Sequence, residues 1–164
     1  MTSGDEGSAT ILIAAGLLVG KDDRVLLVRK RGTKAFMQPG GKIEPREAPL
    51  AALLRELHEE LGLVIPSHAA IHLGRFTAPA ANEPGCTVAA EVFRISVAQD
   101  VTPAAEIEEI IWIEAASVPD ILIAPLTRDH ILPLHRRAGA RVDRTDASSA
   151  FLGTSKAGST YLNE

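Results

Sequence analysis

The sequence predicts an α+β fold in which helices cover both faces of a mixed β-sheet. Strand-like runs come first along the chain, then a helix, then further strands and a second helix, and this order favours a sheet between helices. The 164 residues are 46% apolar and 23% charged, the balance of one globular domain with a sizeable core. We predict a flexible N-terminal arm over 1–8, a folded domain over 9–138 and a C-terminal tail over 139–164, which is mobile or docks on a partner subunit.

The strands are predicted from apolar runs that are bounded by turn-forming residues. These runs span residues 11–20, 24–30, 69–77, 87–98 and 107–113. Lys-Asp-Asp joins the first two runs and indicates a hairpin, whereas a long Pro/Gly/Asn connection separates the third from the fourth. The segment QPGGK at 38–42 is expected to form a permissive turn, because glycine allows backbone angles that are closed to other residues.

Two helices are predicted, one near the middle of the chain and one after the last strand. The first spans about residues 46–61, where its apolar stripe is formed by Leu53, Leu54, Leu57 and Leu61. Gly62 follows at the position where a left-handed terminator belongs. The second spans about residues 126–137, and its interior Pro133 is expected to kink or split it.

Charge and cysteine content exclude several classes of function. The net charge is −4 and no long Lys/Arg block is present, so duplex nucleic acid is not expected as a partner. Cys86 is the single cysteine, which excludes an internal disulfide and fits a reducing compartment. The apolar run near the N-terminus is too short to span a membrane, and an acidic segment precedes it. We therefore expect a cytoplasmic protein.

Three carboxylates gather on the predicted first helix. At roughly 100° per residue, Glu60 lies about 40° to one side of Glu56, and Glu59 lies about 60° to the other. The three acids therefore share one face, beside the leucine stripe. Like charges three and four residues apart repel each other, whereas a hard divalent cation such as Mg²⁺ binds carboxylate oxygens. A metal site would explain the cluster, and a solvated Glu-rich surface is the alternative.

The residues in front of this helix favour the metal site. Gly40 and Gly41 leave room for a backbone carbonyl to approach the same point without a side chain in the way. Arg55 adjoins Glu56 and lies where it can reach back to Glu47. That ion pair would lock the loop onto the helix.

The segment GKIEPREAPLAALLRELHEELGL, residues 41–63, carries a longer pattern. Five residues separate Gly41 from Glu47, seven more separate Glu47 from Arg55, and RELHEELGL begins at Arg55. This pattern resembles the Nudix box, G-x5-E-x7-R-E-U-x-E-E-x-G-U with U aliphatic, and all nine specified positions agree. A looser similarity to MutT-like Nudix domains covers about residues 10–137. The resemblance implies a Nudix-type α/β/α sandwich.

The resemblance also implies a reaction and a set of site residues. Nudix hydrolases cut the diphosphate linkage of a nucleoside diphosphate joined to a group X, with Mg²⁺ or Mn²⁺ as cofactor. The implied metal ligands are the Gly41 carbonyl and the carboxylates of Glu56, Glu59 and Glu60. Glu47 would pair with Arg55 and orient the site. Glu59 is the first choice for the base that deprotonates the attacking water, while Glu106 and Glu108 are alternatives without a motif.

Outside the box, candidate substrate-binding residues are assigned from their position in the chain. Arg29, at a predicted strand end, is expected to help hold phosphates, with solvated surface charge as the alternative. Phe36 and Met37 lead into the glycine turn and either touch a base or pack beneath the loop. Gly40 completes this set, because its backbone lies next to the expected metal site.

The resemblance ranks the substrates only coarsely, because the box recognises the diphosphate and not the base. A MutT-type (d)NTP pyrophosphohydrolase ranks first, and an ADP-ribose or nucleotide-sugar pyrophosphatase comes next. A catalytically idle Nudix domain that senses a ligand is the alternative from another class, and it is disfavoured because no box acid is lost. The expected partner is a nucleotide or a nucleoside diphosphate-linked small molecule, without membrane binding. A homodimer is compatible with the family.

Overall fold

The structure, a computed structural model, describes residues 8–149 and the side chains of residues 8–141. Within this range the chain forms a six-stranded sheet and two long helices, and the bounds of five strands and of the first helix lie close to the predicted ones. The strands are β1 Thr10–Val19, β2 Val25–Lys30, β3 Gly40–Lys42, β4 Ala70–Pro79, β5 Thr87–Ser96 and β6 Ile107–Ile113. The helices are α1 Pro49–Leu61 and α2 Leu132–Ser149, with a 3₁₀ turn at Ser67–Ala69 and a π-helical turn at Thr127–Ile131.

The sheet is mixed, as predicted. Its strand order is β4-β5-β1-β2-β6, and β3 pairs with β1 beside β2. β1 and β5 run parallel over their whole length, whereas the other pairs are antiparallel. No helix within the described residues is long and apolar enough to cross a membrane.

Alternation along β1 places the two helices on opposite faces of the sheet. Ala15, Leu17 and Val19 belong to the apolar cluster that includes residues at the start of the second helical segment. Ala14 and Leu18 point the other way, into the cluster formed with α1. Because successive side chains of a strand face opposite sides, β1 serves both cores, and the predicted α/β/α sandwich is confirmed.

Helix α1 begins three residues later than predicted. Arg46 has a backbone φ of 64°, which a right-handed helix cannot accommodate, and Pro49 instead occupies the first helical turn. Gly62 ends the helix with a φ of 65°, as expected for a left-handed terminator. Leu53 and Leu57 are fully buried against the sheet.

The second helical segment is longer and less regular than predicted. A π-helical turn lies directly before Pro133, and the Leu132 N–H donates to the Thr127 carbonyl five residues back. Pro133 has no N–H to donate, and the predicted interruption of the helix is this π-helical turn. The helix then continues to Ser149, beyond the predicted end at 137 and the predicted domain boundary at 138. Residues 150–164 of the predicted tail and residues 1–7 of the predicted arm lie outside the described residues.

The glycine segment is the element that the sequence did not predict. Gly40, Gly41 and Lys42 form strand β3, opposite Ala15, Ala14 and Ile13 of β1. Gly40 has a φ of 143°, and a Cβ at this position would collide with the Ala14 carbonyl oxygen. The two glycines therefore allow a close backbone approach within the sheet, and residues 40–42 form a strand in place of the turn expected from them.

Candidate metal and diphosphate site

The site is formed where strand β3 meets the exposed side of helix α1. A Cβ on Gly41 would lie 2.5 Å from Glu56 Cδ and 2.6 Å from its Oε1. The Glu56 carboxyl group therefore lies directly against the Gly41 backbone, in space that any other residue would fill. This contact brings together two of the residues that the box pattern assigned to one metal.

Arg55 and Glu47 form the ion pair predicted from their spacing. Arg55 Nε donates to Glu47 Oε1 at 2.8 Å, and Arg55 Nη2 donates to Glu47 Oε2 at 3.0 Å. The same guanidinium donates to Glu56 Oε1 at 2.8 Å and to the Lys42 carbonyl at 3.2 Å. One side chain thus holds the loop, strand β3 and a box carboxylate in fixed relative positions.

Glu60 is the buried carboxylate of the box. Its side chain is only 2% exposed, and neither carboxylate oxygen has a hydrogen-bond partner. Burial raises the pKa of Glu60 to about 8, Lys30 opposes that rise, and the nearby Glu56 and Glu106 charges add to it. The nearest cation is Lys30, whose Nζ lies 3.5 Å from Glu60 Oε1. A buried carboxyl group without hydrogen-bond partners is unfavourable in isolation, and a bound divalent cation would satisfy it.

Glu59 completes the predicted acid cluster but is oriented differently. Its side chain is 54% exposed, and its Oε2 lies 3.8 Å from Arg55 Nη1. Within residues 8–141, no three carboxylate, imidazole or thiol groups converge closely enough to form a complete metal centre. The donor set still fits Mg²⁺ or Mn²⁺, because Glu60 offers two buried oxygens without hydrogen-bond partners and Glu56 sits against Gly41. Rotation of the exposed Glu59 side chain would add the third carboxylate.

Glu106, one of the two alternative bases named from the sequence, is a neighbour of this cluster. Its Oε1 accepts a hydrogen bond from Lys30 Nζ at 2.8 Å, so Lys30 joins it to Glu60. The loop that carries Glu106 is attached to the end of α1, because the Ala104 N–H donates to the Glu60 carbonyl at 2.8 Å. Glu106 is therefore adjacent to the site, whereas Glu108 pairs with Arg29 at 2.9 Å.

The candidate substrate-binding residues fall into different environments. Arg29 is held by Glu108 and Glu109, each at 2.9 Å, and its pKa is raised by these carboxylates against the effect of burial. Phe36 is 7% exposed and belongs to the core on the α2 side, which favours packing over contact with a base. Gly40 lines an open cavity beside the site. The substrate-binding role of each residue stays a prediction.

The cavity beside the glycine strand joins this site to an apolar surface. Gly40, Gly41 and Lys30 line one part of it, and the remaining walls include Ile11, Ile13, Met37, Gln38, Val88, Ala124 and Leu126. Asn82 and Glu83, from the long loop between β4 and β5, form part of the rim. Glu83 pairs with Lys42 at 3.4 Å, so this loop already contacts the glycine strand.

The Arg55–Glu47 pair gives a testable expectation. Hydrogen bonds from Arg55, and one from the Glu44 backbone, lower the pKa of Glu47 from 4.5 to about 2. The pair therefore stabilises the fold fully above pH 4.5, and this stabilisation is lost as the pH falls towards 2. Arg55→Lys should reduce turnover about tenfold or more, because lysine cannot replace a bidentate guanidinium.

Urea unfolding at pH 7 and pH 3, together with steady-state kinetics, checks this expectation. The stability difference between wild type and Arg55→Lys should be larger at pH 7 than at pH 3. Arg24→Lys is the matched control, since Arg24 pairs with Asp22 at 3.3 Å on the exposed hairpin and such pairs contribute little. A difference that grows on acidification would contradict the assigned role of Arg55.

Comparison with known proteins places this fold and site in one family. The model of the NUDIX domain family matches residues 10–135, which include β1 and all of the box. The chain belongs to the Nudix family, and the membership predicted from the box is confirmed.

Relatives of known name share shorter segments with the chain. An RNA pyrophosphohydrolase of Halorhodospira halophila is 51% identical over 49 residues, which cover 29% of this chain and 27% of that protein. An 8-oxo-dGTP diphosphatase of Proteus vulgaris is 45% identical over 56 residues, which cover 31% of this chain and 49% of that protein. The chain thus spans about a quarter of the first relative and half of the second.

Solved structures match over most of the chain. The MutT protein of Methanosarcina mazei Go1 superposes with a TM-score of 0.66 at 21% identity, covering 81% of this chain and 97% of that chain. The Nudix domain of Shewanella oneidensis NrtR, solved with ADP ribose, gives a TM-score of 0.62 at 21% identity, with 82% and 90% covered. At these identities the likeness shows the fold.

Proposed function

We propose that this protein is a divalent-cation-dependent hydrolase that cleaves the diphosphate linkage of a nucleoside diphosphate-X compound. A MutT-type (d)NTP pyrophosphohydrolase activity ranks first. The observation that carries the proposal is the arrangement of the box carboxylates: Glu60 has two buried oxygens without hydrogen-bond partners, and Glu56 lies against Gly41. The names of the Proteus and Halorhodospira relatives support pyrophosphohydrolase chemistry.

The residues of this chain have distinct roles in the proposed reaction. The Gly41 carbonyl and the Glu56, Glu59 and Glu60 carboxylates would hold Mg²⁺ or Mn²⁺, which neutralises charge on the diphosphate. Arg55 donates a hydrogen bond to Glu56 and is itself anchored by Glu47 and the Lys42 carbonyl. It therefore keeps Glu56 in place.

The water that attacks phosphorus must lose a proton to a base within the site. Glu59 is the candidate, because its carboxylate is exposed and lies on the same helix face. Glu106 is the second candidate, since its carboxylate shares Lys30 with Glu60. Glu106→Gln tests the second candidate: loss of the base should lower kcat with little effect on nucleotide affinity, whereas a near-normal kcat would leave Glu59 as the base.

A substrate panel tests the proposal. We expect the purified protein to release pyrophosphate and a nucleoside monophosphate from (d)NTPs, including oxidised ones, with Mg²⁺ or Mn²⁺, and to stop when EDTA is added. Mass analysis of the products identifies the phosphorus that is attacked. ADP-ribose and an RNA with a 5′ pyrophosphate group belong in the same panel, and faster turnover of either would replace the (d)NTP assignment. Absence of metal-dependent hydrolysis with all of them would favour the idle, ligand-sensing alternative.

We also propose a cellular location and an assembly state. The single cysteine, Cys86, supports a cytoplasmic location, and a homodimer is proposed from the family resemblance. Fractionation of the native host and sedimentation of the purified chain would test the two statements.

A further inference from the structure

A buried amide on the cavity wall carries an inference about which base the site accepts. Gln38 follows Met37, which pairs with Val28 of β2, and precedes the glycine strand β3. Gln38 is 7% exposed. It lines the same cavity as Gly40 and Gly41. A glutamine buried to this extent needs partners for both ends of its amide.

Thr127 fixes one end of this amide. Thr127 is fully buried in the π-helical turn, and its Oγ1 accepts a hydrogen bond from the Gln38 backbone N–H at 3.1 Å. The same hydroxyl donates its proton to Gln38 Oε1. This contact places Oε1 on the threonine side and turns Nε2 away from it.

The other end of the amide has no partner in the protein. Among residues 8–141, no acceptor is hydrogen-bonded to Gln38 Nε2. This nitrogen is not completely enclosed by protein atoms. Since Gln38 lines the cavity, its two amide N–H groups remain to serve a ligand there. A ligand that satisfies them must present an acceptor.

The surrounding walls define the kind of ligand that would meet this donor. Ile13, Val88 and Leu126 are apolar and line the same cavity, so they suit the faces of a flat ring. The two cations of the cavity are already paired, Lys30 with Glu106 and Lys42 with Glu83. Gln38 is therefore the buried polar side chain that is available to distinguish one ring from another, while Asn82 lies on the exposed rim.

We propose that Gln38 makes this site selective for a nucleobase whose edge presents a carbonyl oxygen, as in hypoxanthine, guanine or uracil. The inference rests on the proposed function, because it assumes that a nucleotide lies with its diphosphate at Gly41. An exocyclic amino group, as in adenine or cytosine, would place a donor against the amide N–H groups and leave both unpaired. A site built to hydrogen-bond one group rejects its mismatch strongly.

Binding of nucleoside monophosphates tests the selectivity without relying on hydrolysis. IMP and AMP differ at the purine 6-position, and UMP and CMP differ at the pyrimidine 4-position. Titration calorimetry without metal should show IMP and UMP binding about tenfold more tightly than AMP and CMP, the ratio expected for one buried unpaired donor. Equal affinities within each pair, or no binding of any of the four at millimolar concentration, would overturn the proposal.

Variants connect this preference to the Gln38–Thr127 pair. Gln38→Leu should bring each ratio to within about twofold, and Gln38→Glu, which keeps the size of the side chain, should reverse the preference because its free oxygen accepts. Thr127→Val should also reduce the ratio, since the amide could then turn either end to the cavity. Gln99→Leu is the matched control, because Gln99 is exposed and donates to the Val64 carbonyl at 3.2 Å.

The outcomes separate this inference from the proposed function. An unchanged IMP preference in Gln38→Glu, with a thermal unfolding transition like that of wild type, would refute the role of Gln38 even if nucleotides are hydrolysed. Conversely, the expected binding ratios with no hydrolysis under any metal condition would keep the base selectivity and reject the enzyme assignment. In the active protein, the kcat/KM ratio of ITP to ATP should follow the same order as the binding ratio.

Discussion

Glu60→Gln is expected to lower turnover about a hundredfold or more and to stabilise the metal-free protein. The loss follows because a preorganised charged group at the reacting centre contributes about this factor, and glutamine cannot supply the charge. The gain follows because the Glu60 carboxyl group is buried without hydrogen-bond partners. A residue that destabilises the fold in isolation and is needed for the reaction indicates a binding site for a cation.

The pH dependence of the gain has a defined sign. The pKa of Glu60 is raised from 4.5 to about 8 in the folded protein, so the folded state keeps a proton that the unfolded state loses between these values. The stability of the wild type should therefore fall as the pH rises from 4.5 to 8. The stability of Glu60→Gln should lack this pH dependence, because glutamine does not titrate. We expect the melting temperature of the variant to exceed that of wild type by about 2 °C or more at pH 8.

Glu59→Gln provides the matched comparison. It should lose turnover to a similar extent, about a hundredfold, but without any stability gain, because the Glu59 side chain is 54% exposed. His58 occupies the unspecified position of the box between Leu57 and Glu59, and it is exposed. His58→Gln should therefore retain both turnover and stability. Near-normal turnover in both glutamate variants, measured with saturating Mn²⁺, would contradict the assigned metal-binding roles.

The parts of the site that could be predicted from the sequence are those fixed by local spacing. Glu47 and Arg55 are eight residues apart, and one helical segment with the preceding loop is enough to bring them together. The three box glutamates share a face for the same reason, since a helix sets the angle between its residues. The mixed sheet and its two flanking helices were predicted from the order of the apolar strand runs and the helical segments along the chain.

The parts that could not be predicted depend on contacts between distant segments. Glu106 reaches Lys30 only because β2 and β6 pair in antiparallel register, and no pattern in the sequence specifies that register. Gln38 and Thr127 are 89 residues apart. The end of α2 was misplaced because the Ser/Thr/Gly/Ala-rich text after residue 138 resembles a linker, yet residues 139–149 remain helical.

Alanine at the two glycines of strand β3, Gly40 and Gly41, is expected to separate folding from function. Gly40→Ala places a Cβ against the backbone oxygen of Ala14 at a φ of 143°, and neither can move without breaking the pairing of β3 with β1. We expect it to destabilise the fold by about 2 kcal/mol or more. The three atoms nearest to a Cβ on Gly41 all belong to the Glu56 side chain, the first at 2.5 Å, and this flexible side chain can rotate away.

Gly41→Ala should therefore fold with nearly wild-type stability and lose turnover about a hundredfold, because displacing a positioned group by about 1 Å has an effect of this size. Urea unfolding and steady-state kinetics on both variants measure the two effects. Gly139→Ala is the control, since nothing lies within 4 Å of its added Cβ and helix propensity favours alanine by about 1 kcal/mol. Full activity in Gly41→Ala would mean that the contact of Glu56 with the glycine strand is not needed for the reaction, and the geometry proposed for the site would then be wrong.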